Sequence, residues 1–208
     1  LPYFKRSEHN WRGESEHHGG SGPLKVTPSS LSGPIYDLFS SAAEKAGFPR
    51  SGDYNGAEPE GIARADLTIG DGRRFSTARA FLRPAMTRPN FTIATRSPAT
   101  RVVIAGGRAT GVEYRSGGQL VTAHAAREVV LPGGTYNSPQ LMMLSAIGPA
   151  DEIQAHGIAP VLDRPGVGAN LQEHVNTFAT FDCTEPISFQ REMRFDRLTW
   201  SVMRWALF

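Results

Sequence analysis

Apolar and polar positions change period several times along this chain, and each change marks an element. The most informative run is Arg127 to Gly148, REVVLPGGTYNSPQLMMLSAIG. Glu128 to Leu131 is a short apolar stretch of the length of a buried strand. Pro132 ends it, and Gly133-Gly134 lets the backbone turn with no Cβ in the way. Ser138-Pro139 has the form of an N-cap and a first-position proline. Leu141, Met142, Leu144 and Ser145 follow at helical spacing, and Gly148-Pro149 stops the run. The pattern predicts strand, glycine turn and helix, with Ser138 capping the helix through Leu144. Such a turn presents free N–H groups at a helix start, which nucleotide cofactors use. A plain strand–helix connection needs no ligand and is the commoner meaning of the local pattern.

The same reading runs along the rest of the chain. Leu24-Lys25-Val26 predicts a short strand, and Ser32 to Gly47 a helix with Ile35, Leu38, Phe39, Ala42, Ala43 and Ala46 on one apolar face. Ala63 to Ile69 predicts a strand closed by an Asp71-Gly72 hairpin turn. Ser76 is a candidate cap for a helix carrying Ala78, Phe81 and Leu82 on one side. Phe91 to Thr95, Arg101 to Ala105, Ala109 to Arg115 and Gln119 to His124 are strand-like runs separated by Ser-Pro and glycine turns, which predicts a β-meander. Asp151 to His156 reads as a short helix, Asn176 to Cys183 as a strand and Arg191 to Phe208 as a helix.

Composition adds bounds. With 208 residues, 39% hydrophobic and 20% charged, the chain reads as globular and long enough for a sizeable core. Lys+Arg is 22 against Asp+Glu 20, a net +2 that makes no electrostatic case for nucleic acid or an acidic membrane. The single cysteine, Cys183, excludes an intrachain disulfide, fits a reducing, cytoplasmic setting, and reads as a buried small residue. No apolar run reaches membrane-spanning length. Leu1-Pro2-Tyr3-Phe4 opens inside what reads as the end of a helix, and LTWSVMRWALF closes on an apolar stretch. Both read as ends within a longer protein.

Three sets of residues invite chemistry. His9, His17 and His18 lie among Glu8, Glu14 and Glu16, but the spacing fits no zinc pattern and Gly/Ser residues surround them, so a solvated loop is the simpler reading. Arg73, Arg74 and Arg79 offer phosphate contacts, although arginines at helix starts more often form surface ion pairs. His174 reads as a loop histidine holding local backbone.

The residues from Gly134 to Gly148, GTYNSPQLMMLSAIG, resemble the second signature of the glucose-methanol-choline (GMC) family of FAD-dependent alcohol oxidoreductases. Ala146 stands where that signature usually has glycine, a departure expected to cost little. Pro165 to His174, PGVGANLQEH, resembles the family's PGVGxNLxxH loop, and HHGGSGPL, DYNGAEPEG and RRFSTARAFLRPAMTRPN resemble further family segments. The resemblance covers nearly the whole chain and is nearest the choline-dehydrogenase-like branch. It implies an α/β (α+β mixed) fold: the central part of an FAD-binding doubly wound domain with an inserted β-meander, plus part of a substrate-binding domain. The implied division is 1–88 substrate domain, 89–175 FAD domain, and 176–208 the start of a second substrate-domain segment. It also implies FAD as cofactor, a small-molecule primary alcohol as substrate and oxygen or a quinone as electron acceptor. The implied cofactor contacts are Ala99, through its backbone to the adenine edge, and Gly133, Gly134 and Ser138 at the helix start. No G-x-G-x-x-G follows an opening strand here, and the family's proton-accepting histidine is expected beyond Phe208, so no catalytic residue and no metal ligand is assigned. A non-catalytic binding module that keeps this scaffold is the alternative.

Overall fold

The computed structural model describes residues 1–29, 34–185, 187 and 193–207. These form a mixed α/β chain that divides into two compact units, Leu1–Thr92 with Ala179–Phe208, and Ile93–Phe178.

The first unit opens with helix α1 (Pro2–Ser7), whose early proline suits a position with no N–H to satisfy. It runs straight into strand β1 (Glu8–Asn10), which pairs in parallel with β2 (Leu24–Pro28). Helix α2 (Pro34–Lys45) follows; Ser32, the expected start, lies outside the described residues. Its apolar stripe does not face a core: Ile35, Leu38 and Phe39 are exposed, and the one buried residue is Ser40. Strand β3 (Asp66–Leu67) pairs antiparallel with β2, completing a three-stranded sheet of order β1-β2-β3. The strand expected over Ala63 to Ile69 is therefore broken in two. Beyond Thr68, β4 (Ile69–Gly70) turns back on β5 (Arg73–Arg74). Asp71 and Gly72 both have φ near +60°, at 54° and 67°, as a two-residue hairpin requires. A π-helical turn (Ala78–Leu82) passes into a short helix α3 (Arg83–Ala85). The Ser76 hydroxyl accepts from the Arg79 N–H at a long 3.4 Å, and no side chain caps the turn at Thr77.

The second unit is built on the expected meander. Strands β6 (Ala99–Ala105), β7 (Arg108–Ser116) and β8 (Gln119–His124) form an antiparallel sheet in that order. Gly106-Gly107 and Gly117-Gly118 make the turns with φ between 57° and 84°, a region that a side chain disfavours. Residues 91–95 are not a strand, and neither are 128–131 nor 176–183. A strand needs a hydrogen-bonded neighbour, and no described strand runs alongside any of the three. Val130 and Phe178 are accordingly exposed, and Cys183, expected to be buried, is exposed as well. Helix α4 (Gly134–Leu144) leads to β9 (Ile147–Gly148), helix α5 (Ala150–Ala155) and β10 (Leu162–Asp163), which pairs in parallel with β9.

The chain returns to the first unit for helix α6 (Phe195–Leu207), whose Trp205 indole N–H donates to the Gly72 carbonyl at 2.9 Å. Arg191 and Phe208, the ends expected for this helix, lie outside the described residues. The length would allow a sizeable core, but the buried apolar set among the described residues is small. Among the described residues only Ala80, Val102, Ala146 and Ile153 are buried apolar side chains. Large residues such as Phe39, Tyr136, Trp200 and Trp205 are open to solvent, the kind of surface that marks contact with further protein.

Candidate functional site

Gly134 has φ 80°, which only glycine adopts freely, and it starts α4 one turn earlier than Ser138. Gly133 is the N-cap and has no side chain to close the helix end. No side-chain cap is made there, so the first-turn N–H groups keep their capacity to hold an acceptor. Ser138 does not cap the helix. It lies in the second turn, where its hydroxyl donates to the Leu131 carbonyl at 3.0 Å and ties the incoming segment to the helix. Pro139 sits inside the helix and has no N–H for the carbonyl four residues back. The Ser-Pro pair imitated a helix start because both positions suit one, while the glycine turn that actually begins the helix carries no side-chain signal.

Over this helix start lies the loop that contains Gly166 to Gln172. Together they line a cleft of about 580 Å³, with Gly134, Thr135, Ser138 and Pro139 on one wall and Gly168 and Asn170 on the other. Gly168 has φ 81°, and a Cβ placed there would stand 3.6 Å from Met143 Cε and 3.9 Å from Pro139 Cβ. These are ordinary contact distances, so the positive φ and not lack of space is what favours glycine at this loop position. A Cβ at Gly134 would meet nothing within 4 Å, so the helix start opens on free space. His174, just past the cleft, is exposed, and its N–H donates to the Glu173 carboxylate.

The helix is fixed to the meander at its other end. The Ser145 hydroxyl accepts from the Val102 N–H at 2.8 Å and donates to the Leu141 carbonyl. Both Val102 and Ser145 are buried. Ser145→Ala would leave the Val102 N–H buried without its acceptor, a loss of about 1–3 kcal/mol. Chemical denaturation of wild type and variant checks this; an unchanged midpoint would show that the bond carries no weight. Ala146 follows at φ 65°, the left-handed position after a helix end where glycine is favoured. The alanine is therefore not a neutral departure: that conformation costs a non-glycine residue about 1–2 kcal/mol.

Ala99 begins β6 at the exposed edge of the meander, paired with Tyr114. Gly134 and Ser138 line the cleft, and Gly133 sits beside Ser138 at the helix end. The hydrogen bond that joins β6 to α4 runs through Ser145, at the opposite end of the helix from Gly133. Of the arginines, Arg79 pairs with Asp71 at 3.7 Å and lies over the Phe75 ring, and Arg73 lies over the Trp205 ring. These are structural contacts. Among the described residues no group of three or more His, Cys, Asp or Glu side chains is placed to hold a metal ion.

Known proteins decide what this arrangement belongs to. The family profile of GMC oxidoreductase matches residues 1–176. The chain belongs to the GMC oxidoreductase family. Oxygen-dependent choline dehydrogenase of Brucella canis is 41% identical over 208 residues, all of this chain and 38% of that protein. Among solved structures, pyridoxine 4-oxidase from Mesorbium loti aligns with a TM-score of 0.74 and 33% identity, over 79% of this chain and 33% of that one. A formate oxidase of Aspergillus oryzae RIB40, solved in work on FAD modification, aligns with a TM-score of 0.70 and 27% identity, over 78% and 30%. The chain thus spans well under half the length of the GMC relatives it matches, and its fold is that of FAD-binding GMC oxidoreductases.

The first unit holds a polar cluster that sequence reasoning placed in a solvated loop. His18 is only 3% exposed and Asn10 2%. The His18 ring lies between two carboxylates, with Nε2 2.7 Å from Asp53 Oδ2 and Nδ1 3.1 Å from Glu8 Oε2. Nearby, Arg12 pairs with Asp66 and donates to the Gly52 carbonyl. The only local cue was the His-Gly-Gly run, because the partner Asp53 lies 35 residues away. Among the described residues no helix is long and apolar enough to cross a membrane.

Proposed function

We propose that these residues are the central part of an FAD-dependent oxidoreductase that oxidises a primary alcohol. The observation that carries the reading is the start of α4, uncapped at Gly133 and open at Gly134, across from the Gly166–Gln172 loop, in a chain of the GMC family. The residues present fit one part of a dinucleotide. The backbone N–H groups at the helix start suit an anionic or hydroxyl oxygen, and the strain-free φ of Gly134 leaves room for close approach. Gly133, Gly134 and Ser138 would hold that part, with the Ala99 backbone at the adenine edge. Bound FAD would supply a hydride acceptor for the alcohol carbon. In this reading 1–88 and 176–208 serve the substrate side and 89–175 the cofactor side, and the division into two compact units is in keeping with it. The likeness to choline dehydrogenases favours a small polar alcohol, with oxygen or a quinone as acceptor.

The test is the full-length gene product, purified, loaded with FAD and mixed with choline and a panel of primary alcohols under anaerobic conditions. Alcohol-dependent bleaching of the flavin band is the expected result, and oxygen and quinone are then compared as acceptors. A protein that takes up no flavin, or holds flavin that no alcohol bleaches, would favour the non-catalytic binding module.

A further inference from the structure

The His18 cluster can exist in two hydrogen-bonded states. A neutral imidazole has one N–H, yet here both ring nitrogens face carboxylate oxygens. Nδ1 stands 3.2 and 3.1 Å from the two Glu8 oxygens, and Nε2 stands 2.7 Å from Asp53. An imidazolium satisfies both sides with charge-assisted bonds. A neutral ring cannot, because one nitrogen would turn its lone pair toward a carboxylate.

Asn10 decides which side gives way. Its Nδ2 lies 3.0 Å from His18 Nδ1 and 2.8 Å from Glu8 Oε1. The side-chain amide can therefore donate to a deprotonated Nδ1, whereas the bond from Nε2 to Asp53 keeps its proton. Glu8 in turn accepts from the Gly19 N–H at 3.0 Å, and Asp53 accepts from the Asn55 N–H at 3.1 Å. Each carboxylate thus holds a separate stretch of backbone.

We propose that His18 is a proton-operated latch. As imidazolium it ties Glu8 of β1 to Asp53 of the loop before β3; as neutral imidazole it releases Glu8 and keeps Asp53. The charged groups around it fit this role. Besides Glu8 and Asp53 at the ring, Arg12 acts on Asp53 while paired to Asp66. Burial alone would lower the His18 pKa, but the hydrogen bonds to Asp53 and Glu8 outweigh it and hold it above the ordinary value. Burial would likewise raise Glu8 and Asp53, yet both are held low, Glu8 by Asn10, Gly19 and His18, and Asp53 by His18 and Asn55. The signs give a window. The His18 contribution is complete below the ordinary imidazole range and is lost as pH rises through the raised value. The carboxylate contributions are present above the ordinary carboxylate range and are lost as pH falls through the depressed values. The latch is closed between those limits and opens on the alkaline side at Glu8.

The experiment is a pH titration of the full-length protein, following the His18 ring nitrogens by NMR and the Gly19 and Asn55 amides by hydrogen exchange corrected for intrinsic rates. The expected result is titration of His18 above about 6.5, the ordinary imidazole value, with loss of Gly19 protection by roughly tenfold across that step and a much smaller loss at Asn55. A ring already neutral at pH 6, or equal loss at both amides, would overturn the proposal. Glu8→Gln should return the His18 titration toward the ordinary value. If that variant does not fold, Asp53→Asn, at a more open position, gives the same reading. An elevated titration that neither change lowers would also overturn it.

Discussion

Gly19→Ala is expected to disrupt α1 and the β1-β2-β3 sheet of the N-terminal unit. A Cβ at Gly19 would stand 1.8 Å from the Lys5 carbonyl oxygen, 2.7 Å from the Lys5 carbonyl carbon and 2.8 Å from the Glu8 carbonyl oxygen. All three are backbone atoms, so no side chain can swing aside. Gly22 is similarly confined, 2.3 Å from the Ser7 carbonyl carbon. The turn between α1 and β1 therefore rests directly on the glycine segment, and the Gly22 N–H donates to the Glu8 carbonyl at 2.8 Å. Overpacking ordinarily costs about 1–3 kcal/mol, and a clash with fixed backbone belongs at or above the top of that range. The same displacement would pull the Gly19 N–H from Glu8 and expose Asn10 and His18. Urea denaturation is the measurement. Gly52→Ala is the control, because a Cβ there meets nothing within 4 Å. Equal midpoints for the two variants would show that the glycine segment does not bear on α1.

Ile153→Ala should be the most damaging single truncation in the second unit. Ile153 is 2% exposed and is the only large apolar side chain so fully buried among the described residues. It stands beside Gly148, where an added Cβ would lie 3.2 Å from its Cδ1 and 2.8 Å from Met143 Cγ. It therefore joins α5 to β9 and to the underside of α4. Removing such a side chain costs about 2–5 kcal/mol, against a total stability of roughly 5–15 kcal/mol for a whole domain. A unit whose buried apolar set is Val102, Ala146 and Ile153 has little to set against that loss. Val130→Ala, at a position 72% exposed, should shift stability by no more than about 0.5 kcal/mol. Thermal unfolding of the two variants checks the contrast; a similar small effect in both would mean that Ile153 is not the keystone of the unit.

What was legible in the chain is what short-range chemistry determines. Asp71-Gly72, Gly106-Gly107 and Gly117-Gly118 announce hairpins because each turn needs positive φ at consecutive positions. The meander, the body of α4 and the end of α5 at Gly157 follow from such local signals. The signature from Gly134 to Gly148 and the PGVGANLQEH loop carried the family, and the two do line one cleft. Features that depend on a distant partner were not legible. The apolar run at 128–131 has strand composition, but no described strand lies beside it. His18 looked like one polar residue in a polar loop, and the approach of Asp53, 35 residues away, is what places its ring between two carboxylates. Ser138 misled for a different reason, since its hydroxyl serves a carbonyl behind the helix and not an N–H at its start.

The contrast between the meander and its joint to α4 has a kinetic side. Within β6, β7 and β8 the partners are close in sequence, as with Thr100 and Glu113, 13 residues apart. The bond from Val102 to Ser145 spans 43 residues. Each doubling of a closed loop adds about 0.6 kcal/mol of entropic cost, so this joint is disfavoured by roughly 1 kcal/mol relative to the hairpins before any contact repays it. Hairpins close in about 1–10 μs, limited by their turns. The sheet can therefore assemble first, with its two glycine turns as nuclei. The helix then docks onto an edge already formed, so the seating of α4, one wall of the cleft, follows the assembly of the sheet.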